Sequence, residues 1–242
     1  MLGTGSISSQ SRSASTLIDG KILIDCGNGI VKTIPKQYVP AINVLLITHL
    51  HGDHFLDVIF LIFCRSFERM DNLLKIYGPR NTEKIVREIF TLTYPETNLV
   101  QLFERAKVQF IEFDSLQDEE VVPGYFVTSY PVKHGEILAN GFTLRHSDTI
   151  VGFSGDSAYC ENIDHILDRS NVAILDSSFM TGSEVHMGLD ILQQLLQKYP
   201  KTLIIPTHMC DDVRQAAQAL NHANLIVPQD GQEITVEPNS ML

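Results

Sequence analysis

The residues with the richest chemistry lie in Thr48-His49-Leu50-His51-Gly52-Asp53-His54. Four metal-capable side chains fall within six positions. An apolar run, Asn43-Val44-Leu45-Leu46-Ile47, precedes them and predicts a buried strand. Phe55-Leu56-Asp57-Val58-Ile59-Phe60-Leu61-Ile62-Phe63 follows and predicts a buried helix. His49 and His51, two apart in extended backbone, point the same way. Gly52 lets the chain turn sharply, so Asp53 and His54 approach from another direction. Imidazole and carboxylate suit zinc and similar divalent ions. Ligands facing two ways suit two adjacent ions better than one. A polar loop that happens to hold three histidines is the bland alternative, and the density of the motif weighs against it.

Other chemistry-bearing residues follow apolar strands. Tyr125–Lys133 delivers His134, Thr149–Phe153 delivers Ser154-Gly155-Asp156-Ser157, Val172–Leu175 ends at Asp176, and Leu203–Pro206 ends at Thr207-His208. Ligands of α/β sheets collect at such strand ends. Spacing alone leaves simpler readings open: a surface histidine at 134, a turn at Asp156, a loop residue at His208, a cap at Asp176. His146, His165 and His222 fall on a hairpin or on helices and read as non-functional. Cys210 lies two residues from His208, within range of a metal, but reads better as a structural thiol.

The motif His49-x-His51-x-Asp53-His54 resembles the signature of the metallo-β-lactamase superfamily. Leu2-Gly3-Thr4-Gly5 with Ser13-x-Ser15, Asp25-Cys26-Gly27, Tyr77-Gly78-Pro79, Ser154-Gly155-Asp156-Ser157, His186 and Thr207-His208 resemble, in order, the ribonuclease Z branch. The family has a fuller first strand where this chain starts abruptly. The resemblance implies that His49, His51 and His134 bind one ion, that Asp53, His54 and His208 bind a second, and that Asp156 bridges them. The ions expected are zinc, with manganese or iron as alternatives. Two such ions share a bridging water, lower its pKa to give a hydroxide nucleophile, and steady charge on an attacked phosphoryl or carbonyl group. His186 resembles the branch's proton donor, although Met187-Gly188 replaces the usual small polar continuation. Asp53 and His186 are thus the expected catalytic residues. Asp176 would orient a histidine or cap a turn.

The elements that must position these groups are short. Strands are expected at Ser15–Asp19 and Lys21–Asp25 around an Asp19-Gly20 turn, at Lys75–Tyr77, at Val108–Phe113, and in a Phe142–His146/Thr149–Phe153 hairpin. Helices are expected across Val31–Val39 with a break at Pro35, from Asn81 to Leu92 with Ile85, Ile89 and Leu92 on one face, over Leu99–Arg105, Ile163–Asp168 and Gly188–Lys198, and from Asp211 to Ala223. Ser115–Glu120 reads as an acidic loop. Strands and helices mix without strict βαβ alternation. This fits a four-layer αββα sandwich, two mixed sheets flanked by helices, as the resemblance also implies, in one domain over residues 1–242.

Charge narrows the function. The net charge is −11, and 18 Lys and Arg are scattered through 242 residues. Phosphate backbones and membrane surfaces require clustered cations. Only 22 positions separate His134 from Asp156, whereas ribonuclease Z carries there the insertion that grips tRNA. The expected substrate is therefore a small or cyclic phosphodiester, with a lactone or thioester next and ribonuclease Z-type cleavage of tRNA disfavoured. Asp156 stands where β-lactamases of this fold place a metal-binding cysteine. No Gly-x-Ser-x-Gly elbow suggests a serine nucleophile. A flavodiiron-like protein needs glutamate in place of His51 and a flavin domain; a metal-free binding module would leave the ligand set unused. Met1–Gly20 is polar and lacks the apolar core of a signal peptide, and the four cysteines lack CxxC spacing. The expected setting is cytoplasmic, with a small-molecule substrate, no membrane, and room for a homodimer.

Overall fold

The computed structural model describes residues 1–68 and 70–236. Two compact units emerge. The N-terminal unit comprises Ser15–Asp114 with Leu2, and the C-terminal unit comprises Gly3–Ala14 and the chain from Ser115 onward, with Met1.

The N-terminal unit holds a five-stranded sheet in chain order: β1 (Thr16–Ile18), β2 (Ile22–Ile24), β3 (Val44–Leu46), β4 (Leu74–Gly78) and β5 (Val108–Glu112). β1 and β2 form the expected hairpin, antiparallel, with Asp19 left-handed at φ 49°. β2 through β5 run parallel. Ile22, Leu23, Ile24, Val44, Leu45 and Leu46 are all buried, the continuous apolar pattern of a sheet covered on both faces. Helices fill the crossovers: α1 (Gly52–Phe55) and α2 (Val58–Glu68), then α3 (Thr82–Thr93) and α4 (Leu99–Ala106). This unit is thus closer to βαβ alternation than the sequence pattern suggests.

The single helix expected from Phe55 is in fact two. Asp57 N donates to Cys26 O and Cys26 N donates to His54 O, so the chain is tied to the 25–31 loop where α1 ends. Asp57 Oδ2 also accepts from Val31 N. Gly52 opens α1; its conformation is not left-handed, so the turn comes from a helix start rather than from glycine's positive φ. α3 buries Val86 and Phe90, with Ile85 and Ile89 flanking, while Leu92 is 83% exposed. At 100° per residue, Thr82, Val86 and Phe90 share the inward stripe and Leu92 falls outside it. Between Val31 and Ala41 two short 3₁₀ turns flank Pro35 instead of one helix.

The C-terminal unit holds six strands in the order β11-β10-β9-β8-β7-β6. They are β6 (Glu119–Val122), β7 (Tyr125–His134), β8 (Ile137–His146), β9 (Thr149–Phe153), β10 (Val172–Asp176) and β11 (Leu203–Thr207). β6 to β9 are antiparallel, and β9, β10 and β11 are parallel. β6 occupies part of the expected acidic loop, whose Asp118 pairs with Arg145 at 2.8 Å. β8 begins five residues before the expected Phe142, so β7 and β8 form a long hairpin closed by Gly135 at φ 61°. Helices α5 (Glu161–Arg169), α6 (Leu189–Lys198) and α7 (Asp211–Ala219) complete the unit, with α7 shorter than expected. Ile163, Leu167, Leu175, Leu192, Leu196 and Val213 form part of its core. Both sheets are mixed and accompanied by helices, as expected.

Candidate metal centre

The N-terminal unit brings its four expected ligands together. His49 and His51 follow the end of β3, His51 in extended backbone, and His49 Nε2 lies 3.0 Å from His51 Nδ1. One turn later, His54 Nε2 lies 3.7 Å from Asp53 Oδ2. His49 and His54 are buried, with ring centroids 4.2 Å apart.

Their orientation depends on Asp25, a buried residue at φ 55° just after β2. Asp25 Oδ1 accepts from Thr48 N, and Oδ2 accepts from Thr48 Oγ1 and from His54 Nδ1, each at 2.8 Å. Thr48 Oγ1 has one proton and gives it to Asp25, so it accepts from His49 Nδ1, 3.0 Å away. One carboxylate thereby sets two imidazoles, His54 directly and His49 through a hydroxyl. Both therefore protonate at Nδ1, which makes Nε2 their lone-pair atom.

The C-terminal unit repeats this logic with other residues. Asp176, the last residue of β10, is buried. Its Oδ1 accepts from Ser178 Oγ at 2.6 Å, and its Oδ2 accepts from His186 Nδ1 at 2.8 Å and Ser157 N at 3.0 Å. Having given its proton to Asp176, Ser178 Oγ accepts from His208 Nδ1 at 2.8 Å. His134 Nδ1 donates to the Val185 carbonyl at 2.8 Å. Again Nε2 is the lone-pair atom of His134 and His208. These nitrogens lie 4.0 and 3.4 Å from Asp156 Oδ2. His208 is left-handed at φ 56°, a strained conformation for a bulky residue, and such strain concentrates at functional sites.

Among the described residues, the side chains belonging to groups that could hold a metal ion are His49, His51, Asp53 and His54 in the N-terminal unit, and His134, Asp156, His186 and His208 in the C-terminal unit. Within the latter, ligand atoms of Asp156, His186 and His208 lie within 4.8 Å of one another. Imidazoles of fixed tautomer and two carboxylates fit a divalent ion such as zinc. Cysteine does not enter. Burial pushes the Cys26 thiol well above its ordinary pKa, with Asp57 and Asp25 adding to the rise, and Cys210 Sγ lies 3.4 Å from the hydroxyls of Ser6 and Ser8. His146 stacks on Tyr125 at 4.0 Å and His165 lies on the exposed face of α5, 3.8 Å from Glu161.

Residues 21–209 match the model of the beta-lactamase superfamily domain. The chain belongs to the beta-lactamase superfamily. A ribonuclease Z of Bacillus licheniformis is 27% identical over 209 residues, covering 69% of this chain and 68% of that protein. A ribonuclease Z of Methanococcus maripaludis is 33% identical over 127 residues, but that match covers 50% of this chain and only 38% of that protein. A diphosphatase of the PhnP family has the same fold, with a TM-score of 0.75 at 19% identity over 98% of this chain and 96% of the other. The relatives are thus hydrolases of the superfamily, on its ribonuclease Z-like branch.

Sequence reading located the ligand candidates but missed the groups that aim them. Thr48 appeared only as the first residue of the motif, and Ser178 not at all. Asp25 entered only as the end of an expected strand and as part of a family string, although it follows an apolar strand just as His49, Asp156 and His208 do. Asp176 does both things the sequence left open: it accepts from His186 Nδ1 and also from the backbone N–H of Ser157.

Proposed function

We propose that the whole chain acts as one domain, a dinuclear metal-dependent hydrolase of a small or cyclic phosphodiester. The observation that carries this reading is the matched tautomer of His49, His54, His134 and His208: each spends its Nδ1 proton on a protein acceptor. Four imidazoles held this way all present the same atom, Nε2, as their lone-pair donor, which is what a shared ligand set requires. In this reading His49, His51 and His134 hold one ion, Asp53, His54 and His208 hold the other, and Asp156 is shared. Zinc suits the donors best. When bound, such a pair of ions supplies Lewis acidity toward water and the phosphoryl oxygens.

The chain's own residues handle orientation and protons. Asp176 holds the Nδ1–H of His186; with a second proton on Nε2, the imidazolium gives that Nε2 proton to the departing alkoxide and returns to the neutral ring. Ser157 N and Ser178 Oγ keep Asp176 fully hydrogen-bonded, so its charge stays fixed on that imidazole. Between His134 and Asp156 the chain is a turn, β8, a tight turn and β9, with no further element to grip a folded RNA. The −11 net charge also favours a substrate of few phosphates. Incubation with bis-nitrophenyl phosphate, a precursor tRNA, a lactone and a thioester, with zinc or manganese added, tests the proposal. Turnover of the diester without accurate tRNA cleavage is expected. Efficient precursor tRNA cleavage by the protein alone, or turnover of the carbonyl esters only, would overturn it.

A further inference from the structure

We infer that Phe179, together with Ile137, forms a stacking surface for the base of a nucleoside carrying one phosphodiester. This rests on the hydrolase reading above and names its substrate class. Phe179 is 43% exposed, with its ring centroid 5.6 Å from that of His186. The rings stand at 79°, so they do not stack on each other. On the other flank, Ile137 is the cross-strand partner of His134, on the same face of the sheet, and is 40% exposed. The His186 ring, next to Phe179, and the His134 ring, cross-strand from Ile137, lie 4.9 Å apart.

The Phe179 backbone is held in place. Ser178 N donates to Met187 O, Leu189 N to Phe179 O and Asp190 N to Met180 O. Gly188 passes so close to Thr181 and Gly182 that a Cβ there would sit 2.3 Å from Gly182 N, so only glycine fits. The same loop therefore fixes both the proposed proton donor and the exposed ring beside it. A rigid, solvent-facing aromatic surface recognises a planar partner, and base–aromatic stacking works with any base. Glu136 and Glu184, exposed and next in sequence to Ile137 and Val185, add negative charge to these segments and disfavour a longer phosphate chain. An aromatic base on a single phosphate meets both conditions.

The test measures binding of adenosine monophosphate and of glycerol phosphate by calorimetry, using wild-type protein, Phe179→Leu and Phe179→Tyr. Wild type is expected to bind the nucleotide at least tenfold more tightly than glycerol phosphate. Phe179→Leu should erase most of that preference without weakening glycerol phosphate, and Phe179→Tyr should keep it. Equal affinity for the two ligands in wild type, no binding of either, or a preference that survives Phe179→Leu would overturn the inference. Hydrolysis of adenosine 2′,3′-cyclic phosphate and glycerol cyclic phosphate is followed in parallel. If the binding preference holds and neither diester is cleaved, the hydrolase reading fails and the stacking surface stands.

Discussion

Replacing Asp25 by Asn should weaken metal binding without touching a ligand. Asp25 accepts three hydrogen bonds at 2.8 Å, from Thr48 N, Thr48 Oγ1 and His54 Nδ1. Asparagine offers one acceptor oxygen. If that oxygen keeps Thr48 N, the new amide N–H groups face the Nδ1–H of His54. The imidazole must then move its proton to Nε2, the atom needed for a ligand. The Thr48 hydroxyl loses its acceptor as well, which releases His49. Losing a partner of this kind typically lowers metal affinity about 10–100-fold, or roughly 1.4–2.8 kcal/mol at about 1.4 kcal/mol per tenfold. The larger figure is expected because two imidazoles are affected. Zinc affinity is read by competition with a chromogenic chelator at pH 7.5. Thermal melts in excess chelator report separately on folding, where the altered buried hydrogen bonds should cost about 1–3 kcal/mol. Zinc affinity within twofold of wild type, in a folded variant, would refute the argument that Asp25 sets the tautomers.

His186→Ala should slow hydrolysis of an alkyl phosphodiester about 10²–10⁴-fold and a nitrophenyl diester far less, because nitrophenolate leaves without a proton; equal losses in parallel assays would remove the proton-donor role. Asp176→Asn should reproduce this leaving-group bias more weakly, since Nδ1 of His186 loses its carboxylate; comparing the same two diesters checks it. Arg65 is fully buried on α2 and donates to the carbonyls of Ile42, Asn72 and Ala106. Arg65→Met keeps the stem but strands those carbonyls, so denaturant unfolding should show a loss of about 3–5 kcal/mol.

Much of the fold was legible because its signals are local. Ile22–Ile24, Val44–Leu46 and Val172–Asp176 read as strands from apolar runs alone, and the rule that ligands sit at strand ends singled out His134, Asp156 and His208 as candidates. What could not be read was set by contacts distant in sequence. The break between α1 and α2 comes from the loop at Cys26, some thirty residues earlier. The inward stripe of α3 centres on Val86 and Phe90, with Ile85 and Ile89 packed at its edge and Leu92 off it, a rotation that apolar content alone does not fix. Asp25 and His54 lie 29 positions apart, and nothing in either local pattern pairs them. The motif announced which atoms could bind a metal; the hydroxyls and carboxylates that fix their tautomers emerged only once the chain was folded.

The central claim is a two-ion centre in which Asp156 is shared. Elemental analysis of the purified protein, compared with Asp156→Ala and with His49→Ala, tests it most directly. The account predicts close to two divalent ions per chain in wild type and a clear loss in both variants. One ion or none in wild type, or both ions retained by Asp156→Ala, would contradict it.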